Sequence, residues 1–264
     1  MLYTEIDIFL ITNIKFKSEK WGNIMSGHSK WKNILHKKEK TDAQKAKVFT
    51  KIGREIAVAV KEGGADPVSN SKLRDCIAKA KANNVPNDNV KRIIERASGA
   101  DGTTYETIVY EGYGPCGVAV IVETMTDNRN RTASEMRHYF DKFGGNLGAT
   151  GCVGWQFDKK GVIILENGGK SEDEIMMDCI EAGADDVEVS EEGTEVYCGA
   201  DDVSAVREAL EAKDYVIASA EAELVPQTYT KLENEDDIKN MQKLLDMLDD
   251  NDDVQNVYHN WDEE

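Results

Sequence analysis

No run in this 264-residue chain approaches the roughly 18 consecutive apolar residues needed to span a bilayer. The nearest candidate, IDIFLIT at 6–12, has no basic flank before it and no small-residue cleavage site after it, which argues against a secretory signal. Cysteine is scarce: Cys76, Cys116, Cys152, Cys179 and Cys198 are odd in number and include no C-x-x-C pair. That excludes a disulfide framework and a cysteine zinc site, and points to reduced thiols in a cytosolic protein. Histidine is scarcer still. Of the four, only His28 and His36 are neighbours, and a spacing of eight suits no usual metal motif. G-x-S-x-G and a Gly-rich lysine loop are both missing. Catalytic, metal and cofactor signals are therefore all lacking, and the expectation is a protein that is not an enzyme.

What is present is charge, unevenly placed. The formal net charge is −18, yet residues 25–40, MSGHSKWKNILHKKEK, hold five lysines, two histidines and a tryptophan. Residues 25–100 carry 17 Lys and Arg against 8 Asp and Glu, whereas residues 101–264 carry 12 against 39. Such asymmetry is what a nucleic-acid-binding module joined to acidic domains shows. The sequence changes character abruptly at Met25, so residues 1–24 are read as an upstream extension outside the fold, with Met25 as the functional start.

The basic segment reads as three amphipathic helices. In 42–64, Val48, Phe49, Ile52, Ile56 and Val60 fall at helical spacing, with Asp42 as a cap and Gly63-Gly64 as a stop. In 69–84, Leu73, Cys76, Ile77 and Ala80 share a face. In 85–99, Pro86 precedes a cap at Asn87 or Asp88, and Val90, Ile93, Ile94 and Ala97 point inward. Helices this short are stable only by burying one another. Beyond Gly99 the pattern turns to period 2: strands at 105–111 and 117–125, then a helix over 130–145. From GVIILE at 161 the order is β-α-β-β-α-β, that of a ferredoxin-like split βαβ unit. After Pro226 come a strand, a helix and a strand VQNVYHNW, which can complete the sheet begun at 105–125. The fold class is α+β in three domains: a basic helical domain at 25–100, a discontinuous α/β domain at 101–152 plus 226–264, and an acidic ferredoxin-like domain at 153–225 inserted in it.

Two motifs are set aside. GYGPCG at 112–117 matches G-x-G-x-x-G but is followed by a strand rather than a helix, so it reads as a hairpin connection. DDNDDVQNVYHN at 249–260 has Val254 where a calcium loop needs glycine and Asn260 where it needs glutamate, and reads as a solvated acidic turn. Two stretches remain as candidate sites. The first comprises His28, Lys30, Trp31, Lys32, His36, Lys37, Lys38, Lys40, Lys45, Lys47, Lys51 and Arg54, interrupted only by Glu39 and Asp42. The cations would neutralise phosphates, Trp31 would stack on a base, and the histidines would bond phosphate or base. The alternative is a solvated helix face with Trp31 packed on the bundle. The second is TDNRNRT at 126–132, with Asp127 or Asn128 capping a helix. Cations at Arg129 and Arg131 oppose the helix dipole, so free N–H groups and two guanidinium forks make a candidate anion site at Asn128, Arg129 and Arg131. Pairing of both arginines with nearby acids is the alternative.

The opening MSGHSKWKNILHKKEKTDAQKAKVFTKIGREI resembles that of the YebC/PmpR proteins, whose relatives include a mitochondrial translational activator. So do GGADP, NVPNDNVKRIIERASG, YEGYGPCGVAVIVE, TDNRNRT, FGGNLGATGCVGWQF and VPQT. The resemblance runs from Met25 to about Trp261, with Cys116 standing where relatives often carry glycine. It implies three domains, a cytoplasmic location and no catalytic centre. Members are described as DNA-binding transcriptional regulators, others as ribosome-associated translation factors. The functional expectation is a nucleic-acid-binding regulator of gene expression acting on DNA. A translation factor bound to ribosomal RNA is the first alternative, and a protein-binding adaptor the second.

Overall fold

The structure is a computed structural model, and it describes residues 42–99, 103–191 and 193–263. The extension at 1–24 and the MSGHSKWKNILHKKEK segment lie outside the described residues. The described residues fall into two compact units: one lies within 161–221, and the other joins 42–160 to 222–263. No helix among the described residues is long and apolar enough to cross a membrane.

The larger unit starts with three helices, α1 (Asp42–Gly63), α2 (Ser71–Ala82) and α3 (Asn87–Ser98). Ile52, Ile56, Val60, Leu73, Ala80, Val90 and Ala97 form their shared core. These are the positions at which helical spacing repeats, which is why three short helices hold together. Asn70 ties α1 to α2. Its Oδ1 accepts the Leu73 N–H at 3.0 Å, and its Nδ2 donates to the Ala59 and Gly64 carbonyls at 2.8 Å each. The start of α3 differs from expectation: Pro86 occupies the cap position and Asn87 is already helical, so no side chain caps it.

An antiparallel sheet follows, with strand order β3-β1-β2-β9. Here β1 is Glu106–Tyr113, β2 is Ala119–Thr126 and β3 is Asn146–Leu147, while β9 is Val254–His259 from the far end of the chain. The β1–β2 hairpin pairs Glu106 with Thr126 and Tyr113 with Ala119. Strand β2 then pairs Val120 with His259, with a bulge between Glu123 and Thr124. The alternation of a pleated strand splits β2. Val118, Val120 and Val122 pack with Met136 and Phe140 of α4 (Arg129–Lys142) and with Met241, Leu244 and Leu248 of a long later helix, Glu235–Asp250. Ala119 and Ile121 pack with Val153 and Phe157 on the other face.

The GYGPCG segment is the turn of this hairpin, a short 3₁₀ helix at Pro115–Gly117. Its glycines serve packing rather than phosphate: a side chain at Gly112 would strike the Asn146 carbonyl at 2.6 Å. Cys116, the departure from the family pattern, sits at φ 53°, a left-handed conformation that favours glycine. Its thiol donates to Asp237 Oδ2 at 3.1 Å.

The smaller unit has a second sheet, ordered β5-β6-β4-β7. Its elements are β4 (Phe157–Leu165), α5 (Glu172–Glu181), β5 (Asp186–Val189), β6 (Thr194–Gly199), α6 (Val203–Glu211) and β7 (Ile217–Pro226). That is the strand order a split βαβ pair produces. Ile163, Leu165, Ile175, Cys179, Val196, Cys198, Val206 and Leu210 fill its core. The segment VGWQF at 153–157 forms a 3₁₀ turn at Gly154–Gln156 ahead of β4. After β7, β8 (Thr230–Lys231) is only two residues long, α7 is the Glu235–Asp250 helix, and β10 (Trp261–Asp262) pairs with β8 in parallel.

Candidate nucleic-acid interface

Of the twelve residues in the cationic stretch, His28, Lys30, Trp31, Lys32, His36, Lys37, Lys38 and Lys40 lie outside the described residues. Lys45, Lys47, Lys51 and Arg54 lie on α1. Lys45 is exposed. The other three meet acids of the same chain at the end of α7 and just beyond it. Lys47 pairs with Asp250, Lys51 with Asp249 at 3.8 Å, and Arg54 with Asp253 at 2.5 Å. Arg54 also donates to the Met125 carbonyl at 2.8 Å and lies over the Tyr105 ring at 5.3 Å. For Lys47, Lys51 and Arg54 the surroundings therefore supply a carboxylate where the sequence suggested a phosphate.

Asp253 is the hub of this arrangement. Its carboxylate side chain is 5% exposed. Oδ2 accepts from Arg131 at 2.8 Å, Thr132 at 2.7 Å and Thr126 at 3.1 Å, while Oδ1 accepts from Arg54. Burial pushes the Asp253 carboxyl up, but hydrogen bonds from Arg131, Thr132 and Arg54 and the Arg54 charge outweigh it and bring it down to about 2. The acidic stretch 249–260 is thus not simply a solvated turn. Asp253 is buried at its centre, and buried Asn260 bonds the Ala119 N–H through Oδ1 and the Thr228 carbonyl through Nδ2.

The TDNRNRT segment is read on the same geometry. Asn128 is the cap of α4, its side chain accepting the Arg131 N–H at 3.1 Å. Arg131 is committed to ion pairs with Asp127 at 2.9 Å and Asp253 at 2.8 Å, which hold its own pKa above the usual arginine value. A buried carboxylate explains why a cation is tolerated at the positive end of a helix dipole. Arg129 is exposed and makes no hydrogen bond or ion pair among the described residues. Of the three candidate anion ligands, then, Asn128 and Arg131 are engaged within the chain, and Arg129 makes no such bond among the described residues. No cluster of metal-ligating side chains occurs among the described residues.

Sequence reasoning passed over two features. Asp253 was hidden in an acid-rich stretch. The available signal was the two misplaced arginines, which called for a counter-charge. The second feature is the loop at 148–156. The Glu111 carboxylate accepts the N–H groups of Gly151 at 2.7 Å, Val153 at 2.9 Å and Gly154 at 2.7 Å. Burial alone would raise the Glu111 pKa, but these three donors lower it below the ordinary carboxylate value. The loop so fixed presents Trp155, 70% exposed, with its indole N–H donated to the Cys152 carbonyl at 3.1 Å.

A basic helical module followed by two α/β elements, one of them inserted, defines the class. The family model for the TACO1/YebC N-terminal domain matches residues 29–100, and that for the TACO1/YebC second and third domain matches residues 105–261. The chain belongs to the TACO1/YebC family. A probable transcriptional regulatory protein of Acetivibrio thermocellus is 61% identical over 239 residues, covering 90% of this chain and 99% of that protein. One of the same description from Clostridioides difficile is 56% identical over 88% of this chain and 98% of its own length. The crystal structure of a conserved hypothetical protein from Aquifex aeolicus aligns with a TM-score of 0.76 at 42% identity, covering 84% of this chain and 92% of that one.

Proposed function

We propose that this protein is a cytoplasmic regulator of gene expression that works by binding nucleic acid, without catalysis, and that residues 25–100 carry the contact. The observation that carries this reading is the charge split: 17 cations against 8 acids in that segment, within a chain of net −18. The names of its relatives support regulation of transcription, and hence a DNA target. The contact residues on this reading are the basic side chains His28, Lys30, Lys32, His36, Lys37, Lys38, Lys40 and Lys45 and the stacking ring of Trp31, with Arg129 as an outlying contact. Lys47, Lys51 and Arg54 serve mainly to pair α1 with the acids at the end of α7 and just beyond it.

A second reading, a translation factor bound to ribosomal RNA, is favoured by the exposed indole of Trp155 and by a tryptophan set among lysines at 31. Unpaired bases stack on such rings. Ribosome co-sedimentation in sucrose gradients separates the two: co-migration that survives DNase favours RNA, and its loss favours DNA. The shared claim is tested by salt titration of a fluorescent 20-mer. The slope of log affinity against log salt is about −0.9 per phosphate neutralised on duplex DNA and about −0.7 on single strands. Replacing Lys37, Lys38 and Lys40 together by alanine flattens it by roughly two to three units on this reading. An unchanged slope means that these lysines touch no phosphate.

A further inference from the structure

The helical bundle holds a second cationic surface that the sequence did not single out. Arg92 and Arg96 are four residues apart on α3, so they share a face. Both are exposed, and neither side chain makes a hydrogen bond or an ion pair among the described residues. Their bundle is otherwise well paired, with Lys72 on Glu62 and Lys79 on Glu55, besides the three pairs of α1. The acids of α3 itself, Asp88 and Glu95, leave both arginines unengaged. Two like charges one turn apart oppose each other unless an anion lies between them.

These arginines line a cleft of about 250 Å³ between α1 and α3. Its other walls are Phe49, Val85 and Ile93, which are apolar, Thr50, and Asn89, whose side-chain amide makes no hydrogen bond among the described residues. Among the described residues no carboxylate lines it. The volume is below the roughly 300–1,000 Å³ typical of sites for whole small molecules or cofactors. What fits is one unit of a longer polymer: an apolar ring against Phe49 and Ile93, with an anion held by the guanidinium forks. Arginine suits phosphate because its planar fork bonds two oxygens at once.

We infer that the α1–α3 cleft binds one nucleotide unit of a nucleic acid strand, with Arg92 and Arg96 on phosphate and the base against Phe49 and Ile93. This rests on the nucleic-acid reading above and deepens it: the contact extends beyond the N-terminal cations onto α3. The chemistry is the same for an RNA or a DNA strand, so the test carries both.

Full-length protein is titrated by fluorescence anisotropy with a single-stranded RNA 12-mer and, separately, a duplex DNA 12-mer across a series of salt concentrations. The double variant Arg92→Gln, Arg96→Gln is expected to bind at least tenfold more weakly to the true target. Its salt slope is expected to flatten by about 0.7 on the RNA or about 0.9 on the duplex, the share of one phosphate. Arg92→Lys with Arg96→Lys keeps the charge and loses the forks, so its slope stays near wild type while affinity falls. Because neither arginine bonds to another of the described residues, the melting temperature of both variants is expected to match wild type, and a marked drop would assign the arginines a structural role and overturn the site. If wild type binds and the glutamine variant matches it in affinity and slope, the site is wrong and the broader reading survives. If wild type binds neither oligonucleotide, the broader reading fails and takes the site with it.

Discussion

Helices α1 and α3 belong to one bundle, and both are rich in cations, but those cations are in different electrostatic states. On α1, Lys47, Lys51 and Arg54 meet Asp250, Asp249 and Asp253. On α3, Arg92 and Arg96 meet no partner among the described residues, although α3 carries fewer cations than α1. Counting lysines and arginines therefore misjudges which surface can attract a polyanion. A cation already beside a carboxylate contributes little further potential, while an unpaired one contributes fully at close range. The two faces also differ in burial. The Arg54 side chain is 14% exposed and its partner 5%, so this pair is structural in a way that a surface lysine pair is not.

The sharpest way to break that contrast is to remove the α1 hub. Asp253→Ala leaves Arg54 buried without a counter-charge and strips Thr132 and Arg131 of their acceptor. It is expected to cost about 3–5 kcal/mol, measured by urea unfolding. A loss below about 1 kcal/mol would mean that α1 is no more tied down than α3.

Acid provides a milder version of the same change. The Asp253 carboxyl is held near 2, below the ordinary 3.8. It therefore contributes stability of the order of 2 kcal/mol that is fully present above about pH 4 and lost as pH falls through about 2. Asp178 of the smaller unit is also held at about 2, by Lys213 first, then against burial by Tyr215 and Lys170, so it adds to the same window. Asp253→Asn is expected to flatten, without abolishing, the fall in unfolding free energy between pH 4 and 2.

Next come the arginines at the start of α4. Arg131→Ala removes two ion pairs from a half-exposed side chain and is expected to cost about 1 kcal/mol in urea unfolding. Arg129→Ala is expected to stay within about 0.5 kcal/mol of wild type, since its side chain makes no bond among the described residues. Equal losses would erase the distinction between an engaged and an unengaged arginine. A comparably small effect belongs to Lys47→Gln with Lys51→Gln, which breaks two surface pairs. It is expected to cost under about 1 kcal/mol in thermal unfolding and to leave the salt slope of nucleic-acid binding unchanged. A flattened slope would return these lysines to the binding surface.

The elements were legible where one local rule dominated. Helical spacing marked Ile52, Ile56 and Val60 as core, and period 2 marked 117–125 as a strand, whose Val118, Val120 and Val122 the fold buries. The βαββαβ order gave the second sheet because that topology follows from element order and chain handedness. The start of α3 was misjudged because Asn87 and Asp88 looked like caps while Pro86 already held the turn. The site was far less legible. Asp253 and Arg54 are 199 positions apart, and no spacing rule joins them.

The sequence alone determined which segments are helix or strand, where the cations and acids are concentrated, and that the chain is built as a basic module followed by acidic ones. These follow from side-chain periodicity and composition, which are local properties. Only the tertiary structure decided which charges meet. It set Asp253 against Arg54 and Arg131, gave Lys47 and Lys51 their carboxylates, and left Arg92 and Arg96 without a partner among the described residues, beside a cleft walled by Phe49 and Ile93. A Coulomb interaction is fixed by distance and burial, and both arise when the chain brings residues from remote positions into contact.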